Sequence, residues 1–100
     1  MKESELQKQC NDYLRSKGVL FYHREKGRSH KQTAHSIGLP DLLIWLPKGR
    51  FVAVELKIEG GKVRPEQTLC LQAFNYLGYT SYLVYNFQEF KIIVDNRMDS

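Results

Sequence analysis

Two acids and a lysine stand where charge is expensive. Asp41 follows Pro40 at the head of the apolar run Leu42-Leu43-Ile44-Trp45-Leu46, and Glu55 lies inside Phe51-Val52-Ala53-Val54-Glu55-Leu56-Lys57, among residues that favour burial. Side chains alternate along a strand, so Glu55 and Lys57 share a face while Leu56 points the other way. If the two runs pair as an antiparallel hairpin turning about Gly49, Asp41 lies opposite Lys57, and Glu55 is its diagonal neighbour at about 7 to 8 Å between backbones. Two carboxylates and an ammonium gathered this way suit a hard divalent cation, with the lysine beside it to meet an attacking water or a phosphate. The same residues also fit a plainer role, a solvated Glu/Lys pair on a strand and an Asp in a turn.

The elements that must position these residues can be read from periodicity. Leu6, Cys10, Tyr13 and Leu14 recur at helical spacing over residues 3–17, with Ser4 and Gln7 in a capping-box relation and Gly18 as a stop. Val19 to His23 form a short apolar and aromatic strand. From Arg24 to Gly38 apolar periodicity is lost, and Arg24, Lys26, Arg28 and Lys31 face a single acid, Glu25, which predicts a basic loop. Asp41–Leu46 and Phe51–Lys57 then form the hairpin around Pro47-Lys48-Gly49-Arg50, and their near-continuous apolarity predicts central strands covered on both faces. After the loop Ile58–Arg64, Pro65 suits the first turn of a second helix, with Leu69, Cys70, Ala73, Phe74 and Leu77 as its buried stripe and Gly78 as its end. Tyr79–Tyr85 alternate as a fourth strand, and Asn86 and Glu89 make a capping pair for a final helix bearing Phe87, Phe90 and Val94. The resulting order, αβββαβ with a C-terminal helix, predicts an α/β fold in which a mixed sheet is flanked by helices.

Composition narrows the classes. A chain of 100 residues is long enough for one domain with one core, spanning 1–100, without metal or disulfide staples. No apolar run approaches the roughly 18 residues of a membrane span, and MKESELQKQC lacks a signal peptide's apolar core, so an intracellular, cytoplasmic protein with reduced thiols is expected. Lys+Arg 15 against Asp+Glu 11 leaves a net charge of +4, a modest excess that permits a phosphate-bearing partner.

Gly38-Leu39-Pro40-Asp41, then Val54-Glu55-Leu56-Lys57, then Pro65-Glu66-Gln67 resembles the motif series of the PD-(D/E)XK nuclease superfamily, and in particular its VRR-NUC (virus-type replication-repair nuclease) family. The resemblance extends to Glu3-Ser4-Glu5-Leu6-Gln7 and so spans nearly the whole chain. It implies a restriction-endonuclease-like mixed sheet and hydrolysis of DNA phosphodiesters dependent on Mg²⁺ or Mn²⁺. It further implies a small homodimeric enzyme acting on branched DNA such as four-way (Holliday) junctions, in a bacterial host if the chain is phage-encoded. The family pattern makes Asp41, Glu55 and the backbone carbonyl of Leu56 the metal ligands, Lys57 the catalytic lysine and Gln67 a polar residue near the scissile phosphate. The first helix should add an acid. At about 100° per residue, Glu3 projects roughly 35° from the centre of the apolar stripe, Gln7 about 75° and Glu5 roughly 125°, so Glu3 leans over the sheet and Glu5 faces water. Gln7 stands where some relatives carry Glu.

Beside a phosphodiesterase site, Arg24, Lys26, Arg28 and Lys31 are expected to bind the DNA backbone, since phosphate neutralisation supplies most sequence-independent affinity. His23, His30 and His35 have spacings that fit no common zinc motif. Cys10 and Cys70 are expected to pack as small hydrophobes, and Trp45, Tyr76, Tyr79, Tyr82 and Tyr85 to serve the core or a subunit interface rather than stack nucleobases. Two other functions fit the same fold. A sequence-specific restriction-type nuclease would need extra elements to read base edges, for which the chain has no spare length. A non-catalytic nucleic-acid-binding module would have no need for acids facing phosphate.

Overall fold

The computed structural model describes residues 1–24 and 38–98. Helix α1 spans Glu3–Ser16, strand β1 Leu20–His23, β2 Leu42–Leu46, β3 Arg50–Leu56, helix α2 Pro65–Tyr76, strand β4 Thr80–Val84 and helix α3 Phe87–Met98. One mixed sheet in the order β1-β2-β3-β4 results, antiparallel across the first two pairs and parallel between β3 and β4. The α/β architecture and element order therefore match the sequence pattern.

Helices α1 and α3 cover one face of the sheet and α2 the other. Alternation sends Leu42, Ile44 and Leu46 of β2 and Val52, Val54 and Leu56 of β3 to the first face, where they pack with Leu6, Cys10, Leu14, Phe90 and Val94 in one buried cluster. Burial of a side chain such as Phe90 contributes about 1.5 to 3 kcal/mol over leaving it exposed. Cys10 belongs to this dry layer, and burial pushes its thiol up to about 12, so it packs as a hydrophobe. The Tyr13 hydroxyl donates to Asp95, tying α1 to α3.

The second face is thinner. The stripe predicted to bury α2 is only partly covered: Cys70 and Phe74 are half-buried, whereas Leu69 is 64% and Leu77 68% exposed, and Gln67 is the helix's one buried residue. The physical reason lies in where α2 sits. Ser81 on β4 donates its hydroxyl to the Leu71 carbonyl and its N–H to Asn75 Oδ1, which holds α2 over β3 and β4 and, among the described residues, leaves β1 and β2 open on that side. Of the two hairpin strands, therefore, only β3 is covered on both faces. In β2, Trp45 is exposed and Leu43 half-buried, contrary to the expectation from apolarity alone.

Caps also differ from the expected pattern at one helix and agree at another. Lys2, not Ser4, precedes α1, and its N–H donates to Glu5 Oε1, while Gln7 Nε2 donates instead to Asn11 Oδ1. At α3, Glu89 N–H donates to Asn86 Oδ1 and Tyr85 N–H to Glu89 Oε1, each at 2.9 Å.

Chain direction gives the sheet a special edge. β1 and β3 both end there, since each runs antiparallel to β2. A connector of three residues joins α1 to β1, so α1 begins at that edge; α2 follows β3 and α3 follows β4, and they begin there too. Gly38 fastens this edge to α2. Its φ of +84° belongs to the left-handed region, and a Cβ on it would stand 2.5 Å from the Glu66 carbonyl oxygen. Gly18 has φ +67° with nothing near its Cβ position. Gly18→Ala should thus cost only left-handed strain, about 1 kcal/mol, whereas Gly38→Ala must also push α2 away and should cost about 2 kcal/mol or more. Urea denaturation of the two variants compares them; equal losses would refute the close approach.

Candidate active site

The hairpin turn decides which residues meet. Lys48 and Gly49 both take positive φ, 63° and 73°, and the Arg50 N–H donates to the Pro47 carbonyl, so Leu46 pairs with Arg50 and Leu42 with Val54. The pairing is centred on Lys48 rather than Gly49. Moving the centre by one residue shifts each partner by two, which preserves faces and changes neighbours. One step beyond Leu42 and Val54, Asp41 falls opposite Glu55, and not opposite Lys57 as a turn about Gly49 predicts. The convergence is therefore closer than the sequence implied.

Asp41 is 3% exposed, and its Oδ2 accepts a hydrogen bond from the Leu56 N–H at 2.8 Å. That bond fixes its carboxylate to the strand that carries Glu55. On Asp41's other side, its carbonyl accepts the Arg24 N–H at 2.8 Å, which extends the β1 pairing by one residue. Arg24, Asp41 and Glu55 thus form one cross-strand row on the α2 side of the sheet, continued on β4 by Leu83. The Arg24 guanidinium also donates from Nη1 to the Leu39 carbonyl at 3.4 Å.

Glu55 has no exposed surface. Its Oε2 accepts a hydrogen bond from Gln67 Nε2 at 2.7 Å and lies 3.9 Å from Lys57 Nζ. Gln67 Oε1 in turn accepts the Arg64 N–H at 2.9 Å, the N-terminal cap of α2. One amide therefore joins the start of a helix to a buried acid, and each end orients the other. A hydrogen bond to an ionised group contributes about 1.5 to 3 kcal/mol, so the pair repays part of the cost of burying Glu55. The family resemblance implies Gln67 near the scissile phosphate; in the structure its amide reaches Glu55. The signal for this was present, since Pro65 marks the first turn and Gln67 stands three residues after Arg64.

Cys70, one turn after Gln67, lies beside the same group. Burial raises its thiol, the Glu55 charge raises it further, and the Arg24 charge pulls the other way. Its neighbourhood was not foreseen from sequence, although spacing by three along α2 puts it on the Gln67 face.

Glu3 is half-buried and Glu5 exposed, in the order that helical periodicity gives. Among the described residues no three His, Cys, Asp or Glu side chains come together closely enough to hold a metal ion, so Asp41 and Glu55 stand as a pair. His23 Nδ1 lies 3.2 Å from Asn11 Nδ2, inside the α1 layer and on the opposite face from the acids. Lys26, Arg28, Lys31, His30 and His35 lie outside the described residues. The donor set nonetheless has a definite chemistry: two carboxylates facing one another at one sheet edge, with an ammonium beside them, are hard oxygen ligands suited to Mg²⁺ or Mn²⁺.

Comparisons with known proteins bear on the fold and the family. A solved structure described as a VRR_NUC domain superposes with a TM-score of 0.71 at 28% sequence identity, covering 93% of this chain and 94% of that one. No curated protein matches the chain. The model of the VRR-NUC domain matches residues 2–87, a span that includes Asp41, Glu55, Lys57 and Gln67. With the family model matched over residues 2–87 and the fold superposing over nearly the whole of both chains, the chain belongs to the VRR-NUC domain family and carries its nuclease-type fold.

Proposed function

We propose that this protein is a metal-dependent endonuclease that hydrolyses DNA phosphodiesters, selects branched DNA such as four-way junctions and acts as a homodimer. The observation that carries the reading is the placement of Asp41 and Glu55 opposite one another, both buried, with Lys57 3.9 Å from Glu55. A pair of buried acids at the edge of a sheet is costly to the fold and is repaid by a bound cation.

Asp41, Glu55 and the main-chain carbonyl of Leu56 would hold Mg²⁺ or Mn²⁺, with Glu3 the acid available from α1. The ion supplies neutralisation of a phosphate oxygen and a lowered pKa for a coordinated water. Lys57 orients the attacking water or offsets charge that develops on the phosphate. Gln67 acts as a positioning residue, because its amide fixes the orientation of the Glu55 carboxylate. Arg24, Lys26, Arg28 and Lys31 neutralise backbone phosphates on either side of the cut.

Support for a two-fold assembly comes from the open face. Leu20, Tyr22 and Trp45 on β1 and β2 lie exposed on the α2 side, Trp45 meets Phe51 and Phe51 meets Phe74 of α2, and Leu69 and Leu77 of that helix are uncovered. An apolar surface of this kind, continuous from sheet to helix, is what a second copy of the chain would cover. Pairing about that face would set two acid pairs at a fixed separation, and a branched substrate could then be cut on two strands without any base readout.

Two experiments test the proposal. Asp41→Asn and Glu55→Gln should each lower cleavage of a labelled junction in Mg²⁺ by about 100-fold or more while the circular dichroism spectrum stays unchanged, and Lys57→Ala should lose turnover to a similar degree yet keep the metal affinity measured by calorimetry. Near wild-type cleavage by both acid variants would refute the site. Light scattering should report twice the chain mass, falling to the monomer on Trp45→Lys, and junctions should be cut in preference to linear duplex. A monomer that cuts both substrates equally would refute the assembly and leave the acid pair standing.

A further inference from the structure

Beyond the acid pair, the catalytic edge carries a second concavity. Between α1 and the start of α3 lies a cavity of about 430 Å³, lined by Gln9, Ile58, Glu59, Tyr85, Asn86 and Gln88 among others. Ile58 and Glu59 directly follow Lys57, and Tyr85 directly follows Val84, whose carbonyl accepts the Lys57 N–H at 2.9 Å. The cavity therefore lies at the same sheet edge as the candidate site, on the α1 and α3 side, with Lys57 and Val84 the last strand-end residues before its lining begins.

Its chemistry differs from that of a phosphate site. Among the described residues no lysine or arginine lines it; Glu59 is its one charged side chain, and Met1 brings the amino terminus to its wall. What it offers is an aromatic ring and amides. Tyr85 is 41% exposed and makes no ring contact with another described aromatic residue. The side-chain amides of Gln9 and Gln88 make no hydrogen bond among the described residues, and Asn86 commits only its Oδ1, to the Glu89 N–H. A neutral, flat group with donors and acceptors on its rim matches that inventory: the ring stacks on its face, and amides, which both donate and accept, meet its edge.

We propose that this groove binds one unpaired nucleobase of the DNA, around the sheet edge from the phosphate held at the acid pair. The proposal rests on the nuclease reading and deepens it, because it names what the site reads in a branched substrate. In an intact duplex the base is stacked and paired, and extruding it costs a few kcal/mol; at a branch, flap or frayed end that cost is already largely met. The groove thus favours substrates with an unstacked nucleotide near the scissile bond, without regard to sequence. Tyr85 is the stacking residue, and Gln9, Asn86 and Gln88 meet the edge of whichever base is bound.

The test uses a branched duplex carrying 2-aminopurine as the unpaired nucleotide, in EDTA so that turnover is blocked, with anisotropy of a distal label reporting binding. Wild-type protein should change the 2-aminopurine emission as the base leaves solvent and stacks. Tyr85→Ala should abolish that change and weaken affinity for the unpaired substrate about tenfold or more, while Tyr85→Phe, which keeps the ring, should preserve both. Since Tyr85 is largely outside the core, an unchanged melting temperature is expected for each variant. Binding by anisotropy with no emission change, or an emission change that survives Tyr85→Ala, would overturn the inference and leave the nuclease reading intact. Absence of DNA binding in EDTA and in Mg²⁺ alike would overturn both.

Discussion

An ionised carboxylate withdrawn from water loses several kcal/mol of solvation even after the protein relaxes around it. At Glu55, which has no exposed surface, that loss constrains every element nearby. The Gln67 amide must be at hand to donate, so α2 must begin at Pro65 and lie with its first turn over the end of β3. For α2 to come so close, residue 38 must lack a Cβ, because the Glu66 carbonyl fills the space where one would be. The segment that Gly38 begins then delivers Asp41 to the opposite side of Glu55, where the Leu56 N–H locks it. One buried charge thus accounts for a helix start, a glycine and a strand entry.

Much of this was legible in the sequence, and the parts that were not have a common cause. Element types and order followed from apolar periodicity and from Gly and Pro punctuation, which are local properties. The acids stood out because Asp41 and Glu55 interrupt apolar runs. Their mutual distance was misjudged because the centre of a three-residue turn depends on backbone angles at Lys48, a residue that gives no hint of a positive φ. The burial of α2 was misjudged for a similar reason. Leu69, Ala73 and Leu77 follow a helical stripe as regular as that of α1, and nothing in their spacing says which of two apolar faces meets the sheet. The hydrogen bonds of Ser81 to α2 settle it, and these link residues far apart in sequence.

The two faces of the sheet consequently do different work. On the α1 and α3 side, apolar residues from five elements close into a dry layer, and even a thiol is held neutral by burial. On the α2 side the sheet is half uncovered, the polar row Arg24, Asp41 and Glu55 runs across its edge, and an aromatic cluster links Trp45 to Phe51 at 5.7 Å and Phe51 to Phe74 at 6.1 Å. Apolar packing is concentrated in the first layer and the buried acids in the second. A division of this kind lets the acids, with their repulsion and desolvation, occupy a place where the packing lost is small.

The shared starting edge of α1, α2 and α3 has an electrostatic consequence. Each peptide dipole points along its helix, and the unsatisfied N–H groups of a first turn amount to roughly half a positive charge. Three such ends begin at the same sheet edge as the two carboxylates and contribute a positive field that belongs to the backbone, offset in part by the Glu3, Glu5, Glu66 and Glu89 side chains of those first turns. It relieves the mutual repulsion of Asp41 and Glu55, and it draws a polyanion toward the same point from solution. Because no side chain carries it, this field persists when arginines and lysines are replaced, and it titrates with none of them. The fold would thus retain some of its pull on nucleic acid even with every basic side chain of the loop removed.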